Sequence, residues 1–106
     1  MTKYVRLPLY DSYDYEYPVS LQDNSFVVRL YFNERLWQWF FDVTDDTGDK
    51  LISGRRLTLE GTTWIAEIQE LEGCLYLEPL GLDINETLAN YDKLYKYYKL
   101  FYLYNE

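Results

Sequence analysis

The chain has no histidine, one cysteine and one methionine among its 106 residues. Each shortage removes a class of chemistry. Without His there is no imidazole base, no Ser-His-Asp arrangement and no imidazole metal ligand. A single thiolate cannot build a metal site, and Cys74 without a His partner lacks the activation of a nucleophilic cysteine. A lone Cys also excludes an internal disulfide, and with it the small secreted frameworks. Followed by Leu75, Cys74 reads as a small core hydrophobe. The glycines stand apart at 48, 54, 61, 73 and 81, so there is neither a dinucleotide fingerprint nor a phosphate-binding loop. No apolar run approaches the ~20 residues that cross a bilayer, so no membrane partner is expected. MTKYVRLPLY at the N-terminus has early Lys and Arg but no apolar h-region, which predicts no signal peptide and folding in a cytoplasm.

Aromatic residues are plentiful instead. Thirteen Tyr, five Phe and three Trp make up 20% of the chain. Tyr suits surfaces that are apolar in body and polar at the tip, and it gathers at interfaces. The net charge is −8. It is uneven: seven basic and seventeen acidic side chains give −10 over residues 1–92, and three Lys against one Glu give +2 over 93–106. Such an acidic body repels phosphate backbones, so sequence-specific nucleic-acid binding is not expected. The basic end fits either an acidic neighbour or a solvated strand face.

The dominant period is two, the mark of half-buried strands. In FVVRLYF, Phe26, Val28, Leu30 and Phe32 oppose Val27, Arg29 and Tyr31. In WQWFFDV, Trp37, Trp39, Phe41 and Val43 share the face opposite Gln38, Phe40 and Asp42. Asn33 to Arg35 reads as the hairpin connection between them. TDDTGDK then makes a tight reversal into KLIS, completing a meander. KYVRLPL reads as an edge strand because Pro8 cannot donate a ladder hydrogen bond. YDYEYPVSL alternates too, with QDNS turning it into the meander, and RRLTLE offers a further short strand. TTWIAEIQELEG carries Trp64, Ile65, Ile68 and Leu71 at helical spacing with Thr62 or Thr63 as a cap, so residues 62–72 read as a short helix, with a strand as the alternative. CLYLEPL is a strand. YKYYKLFYLY closes the chain, with Tyr98, Leu100, Tyr102 and Tyr104 opposing Tyr97, Lys99, Phe101 and Leu103. Both faces of that closing strand are apolar enough to predict cover on both sides. The expected fold class is all-β with at most one short helix, a small antiparallel β-barrel or β-sandwich forming one domain over 1–106.

The acidic run after Trp37 invites a metal reading. Placing Gly48 at position 6 of a calcium loop puts Val43, Asp45 and Thr47 at positions 1, 3 and 5 and Gly54 at 12, so only one of four required ligands is an acid. Turn residues are the better account of Asp45, Asp46 and Asp49, with Asp42 on the solvent face of its strand. Carboxylate pairs for glycosidase work are always available by chance among eighteen acids, and no spacing singles one out. No catalytic residue, metal or cofactor is expected.

The order of LPL (Leu7 to Leu9), FVVRLYFNE, WQWFFDVTDDTGDKLISGRRL, CLYLEPL and a closing aromatic strand resembles the cyanophage baseplate plug family. The resemblance covers most of the chain. It departs where QDNS stands in place of a Gly-containing turn, and in the length and Tyr content of the closing strand. It implies a non-enzymatic virion component of a contractile tail, near the tube–spike junction at the baseplate hub and in several copies. Its expected partners are tube, hub and spike proteins, together with copies of itself in a homo-oligomer. Strand addition and aromatic contacts would hold it. The competing reading is an acidic DNA mimic that inhibits a DNA-handling enzyme; a mimic needs carboxylates spaced like phosphates, whereas these acids lie largely in turns. Leu30, Trp37, Trp39, Phe41 and Val43 are the expected core. Tyr97, Lys99, Phe101 and Tyr102, on a closing strand at about 95–104, are the expected subunit contacts.

Overall fold

The computed structural model describes residues 2–58, 62–65, 68–69, 71–79 and 94–105. The fold is all-β. Among the described residues the strands are β1 (Thr2–Leu7), β2 (Asp14–Leu21), β3 (Asn24–Asn33), β4 (Gln38–Asp45), β5 (Lys50–Arg56), β6 (Thr62–Trp64), β7 (Cys74–Pro79) and β8 (Tyr98–Asn105), with a helical turn, α1 (Leu94–Tyr97), before β8. They form two four-stranded antiparallel sheets, ordered β1-β8-β7-β6 and β2-β3-β4-β5. Among the described residues the edge strands of the two sheets do not pair with one another, so the architecture is sandwich-like and the closed barrel is set aside.

The meander follows from its alternation. Val28, Leu30 and Phe32 of β3 lie opposite Val43, Phe41 and Trp39 of β4, so one apolar face runs through both strands. That face joins Leu7, Leu75, Leu77, Leu100 and Tyr102 of the other sheet in one hydrophobic cluster. Each large side chain buried there contributes about 1.5–3 kcal/mol. Leu30, Trp39, Phe41 and Val43 are all buried in it.

Trp37 is not. Asn33 pairs with Gln38, which leaves 34–37 as the turn in place of Asn33 to Arg35. The Asn33 Oδ1 accepts from the amides of Arg35 (3.0 Å) and Leu36 (3.1 Å), an Asx cap that holds the loop. Trp37 then sits at φ 54°. This left-handed conformation takes it out of the strand's alternation. Its ring meets Phe32 edge-on at 5.1 Å and is 46% exposed.

Residues 62–72 begin as the alternative to the helix, a strand. Thr62–Trp64 is a strand paired with β7, because Thr62, Thr63 and Trp64 lie opposite Tyr76, Leu75 and Cys74. Beyond it the described residues make single tight turns, with the amide of Ile68 donating to the Ile65 carbonyl and that of Leu71 to Ile68. Residues 66, 67 and 70 of the expected helix lie outside the described residues. So do 59 and 60 of RRLTLE, whose first residues finish β5.

The β2–β3 hairpin turns on Gln22 (φ 49°) and Asp23 (φ 66°), between the paired residues Leu21 and Asn24. Two positive φ values in a two-residue loop make a type I′ turn, whose second position favours Gly. Asp23→Gly is therefore expected to raise stability by about 1 kcal/mol, read as a higher urea midpoint with an unchanged m-value. An unchanged or lower midpoint would contradict the strain assigned to this turn.

Candidate functional site

The two sheets present unlike outer faces. On the second sheet, charge closes on itself. Arg29 of β3 grips Asp14 of β2 with Nε and an Nη at 2.9 and 2.6 Å and lies 4.4 Å over the Tyr31 ring. This pairing lowers the Asp14 pKa. Asp42 of β4, expected on a solvent face, is 3% exposed. The cause is an irregularity in β5: Phe41 pairs with Arg55 but Val43 with Ile52, an extra residue that bulges the edge beside Asp42. Gly54 takes φ 63° in the bulge and donates its amide to the Asp42 Oδ1 at 2.6 Å. The Tyr31 hydroxyl donates to the same oxygen at 3.0 Å, and the Lys50 ammonium lies 3.5 Å from the other. Burial by itself raises the carboxyl's pKa; the Gly54 amide, the Tyr31 hydroxyl and Lys50 outweigh it, so Asp42 stays below its ordinary value.

The aspartates of the meander turn serve the turn. The Asp45 Oδ1 accepts from the amides of Thr47 and Asp49, each at 2.9 Å, and from the Thr47 hydroxyl at 2.7 Å. Among the described residues no three His, Cys, Asp or Glu side chains are grouped to hold a metal.

The outer face of the first sheet is of another kind, and strand register builds it. Antiparallel pairing sets Tyr4 beside Leu103, Leu103 beside Cys74 and Cys74 beside Trp64, one row across four strands. The next row runs Arg6, Phe101, Tyr76 and Thr62, and the third sets Lys99 beside Glu78. Tyr4 is 69% exposed and Trp64 65% exposed, and the Tyr4 ring meets Phe101 edge-on at 5.6 Å. Together Tyr4, Arg6, Tyr76, Glu78, Lys99, Phe101 and Leu103 line a shallow trough of about 530 Å³. An apolar floor with charges at its rim has the anatomy of a protein-binding face. Cys74, buried in the first row, has its thiol pKa raised by burial.

Of the residues expected to make subunit contacts, Lys99 and Phe101 lie on this face. Tyr97 and Tyr102 do not. Tyr97 belongs to α1, whose helical turn buries it with Leu94 and shifts the start of the closing strand to Tyr98. Tyr102 is fully buried on the inner face. Its hydroxyl accepts from the Gly73 amide at 3.1 Å and donates to the Gln22 Oε1, which also accepts from the Glu72 amide at 3.0 Å. This clasp ties the β2–β3 turn to the other sheet. Sequence reasoning missed Tyr4, Arg6, Tyr76 and Trp64 as face residues. KYVRL does alternate, but its pairing with β8 spans nearly the whole chain, and Trp64 had been placed on a helical stripe.

Against families of known proteins, the chain matches the family described as cyanophage baseplate Pam3 plug gp18 over residues 4–105. A comparison with curated proteins finds no match.

Proposed function

The chain belongs to the phage baseplate plug family, and on that ground we propose that it is a non-enzymatic part of a contractile tail, seated at the baseplate hub near the tube–spike junction. The kind of protein is structural and its place is the virion tail. Several copies sit together, and the outer face of the first sheet lies against its neighbours, whether tube, hub, spike or another copy. One observation supports this assignment above the others: the row of Tyr4, Leu103, Cys74 and Trp64 leaves its two end aromatics mostly in water. A neighbouring subunit would remove that aromatic surface from solvent at about 25 cal/mol per Å².

The test is a phage carrying Tyr4→Asp with Trp64→Asp. Both side chains are largely exposed, so the isolated variant should melt as the parent does. Its incorporation into tails, counted by mass spectrometry of purified particles, should fall at least about tenfold. Glu16→Lys, on the outer face of the second sheet, should be incorporated normally. Equal incorporation of both variants would overturn the assignment of this face.

A further inference from the structure

The turn between β3 and β4, residues 34–37, carries a strain that the fold does not need. Trp37 stands at φ 54°, a conformation that costs a residue with a Cβ about 1–2 kcal/mol and that glycine takes freely. The Asn33 side chain holds the loop through the amides of Arg35 and Leu36, so the turn's hydrogen bonding does not require an indole at 37. Nor does the core claim it: Trp37 is 46% exposed and its neighbour Leu36 57% exposed. Strain kept at an exposed, bulky residue points to a use outside the fold. The turn is a capped apolar tip flanked by the exposed Glu34 and Arg35, and a tip held this way binds with little ordering cost.

The same chain carries the matching recess. The trough on the first sheet has Tyr4, Phe101 and Leu103 on its floor and Arg6, Lys99 and Glu78 at its rim. Its volume of about 530 Å³ is that of clefts that hold groups of drug size. Among the described residues no ion pair closes Arg6, Lys99 or Glu78. Glu34 of a tip therefore suits Arg6 or Lys99, and Arg35 suits Glu78, with Leu36 and Trp37 on the aromatic floor. The trough lies on the outer face of the first sheet, away from the sheet that bears the tip, and no tip residue lines it. A tip thus meets a trough only on another copy. Two troughs face to face suit each other less, since each brings two cations against one acid.

We infer that the occupant of this face is the β3–β4 tip of a second copy, seated head to tail. The inference rests on the reading of the face as a subunit contact and names the subunit. Each copy gives its tip to one neighbour and its trough to another, a heterologous contact that closes into a ring or runs on as a chain.

Sedimentation velocity of the isolated full chain tests it. The parent should associate as its concentration rises, and Leu36→Asp with Trp37→Asp should weaken that association at least about tenfold. Asp tolerates the left-handed backbone at 37, so this tip variant should still fold. Tyr4→Asp with Arg6→Glu, the trough variant, should weaken association as much. Mixing the two variants is the sharpest arm: one keeps a trough and the other a tip, so together they should form a dimer with one of each and nothing larger. A mixture that stays monomeric, or a tip variant that associates as the parent does, would overturn the inference. A parent that stays monomeric at millimolar concentration would overturn it too and leave the face to a different protein. In purified tails, normal incorporation of the tip variant with loss of Tyr4→Asp, Trp64→Asp would remove the tip as occupant and keep the face as a subunit contact. Normal incorporation of both, with the mixing result intact, would remove the tail assignment of the face and keep the head-to-tail contact.

Discussion

Gly73→Ala is expected to lower stability by at least about 3 kcal/mol, enough to leave a domain of this size partly unfolded at 37 °C. A Cβ at this position would lie 1.9 Å from the Leu103 carbonyl oxygen and 2.8 Å from the Tyr102 Cζ. The first of these is backbone of the central strand β8, which cannot swing aside as a long side chain would. Any shift also disturbs the clasp, because the Gly73 amide donates to Tyr102 and Tyr102 in turn to Gln22. Gly48→Ala supplies the contrast: a Cβ there meets nothing within 4 Å, and the penalty is that of φ 93° alone, about 1 kcal/mol. Urea denaturation of both variants is the measurement. Equal losses would mean that the close approach at Gly73 is relieved elsewhere.

Asp42→Ala is the second large effect, expected at about 2–3 kcal/mol. The substitution strips the Gly54 amide and the Tyr31 hydroxyl of their acceptor and takes the Asp42 carboxylate from Lys50 and Arg29, Arg29 keeping its grip on Asp14. Asp42→Asn keeps an oxygen acceptor and loses the charge, so it should cost less. The wild-type pH dependence has a definite sign. Because the folded-state pKa of Asp42 lies below its ordinary value, its contribution is fully present above the unfolded pKa of about 3.9 and is lost as pH falls through the folded value. Both variants should therefore show a flatter fall in stability below about pH 4 than the parent. Asp14, paired with Arg29 on an exposed surface, adds little to that slope. A parent and variant with parallel acid limbs would contradict the role given to Asp42.

The meander was legible because both of its long strands keep strict alternation, and a buried face accepts no other register. The same regularity misled at Trp37. Counting back by two from Trp39 carries the pattern into the turn, where Asn33 caps the loop and a left-handed residue ends the alternation. Asp42 was misread for a related reason. It stands at an outward position of a regular strand, and only the bulge in the neighbouring strand, opposite Gly54, folds it out of water. Thr62–Trp64 shows how little a short apolar segment declares: the spacing of Trp64, Ile65, Ile68 and Leu71 suits a helix, yet an open edge of β7 was available to pair with its first residues. On the closing strand the alternation separated Lys99 and Phe101 from Tyr98, Leu100 and Tyr102 without saying which set faces outward. It could not show that Tyr97 lies in a helical turn, nor that the Tyr102 hydroxyl is anchored by Gly73 and Gln22. The docking face itself needed the pairing of β1 with β8, a contact between the two ends of the chain that no local pattern encodes.

A cryo-EM map of the intact tail tests the central claim most directly. The account predicts density for this chain at the baseplate hub, with Tyr4, Trp64, Phe101 and Lys99 buried against neighbouring subunits. A map that placed the chain there with this face open to solvent, and its contacts made through the charged outer face of the other sheet, would contradict it.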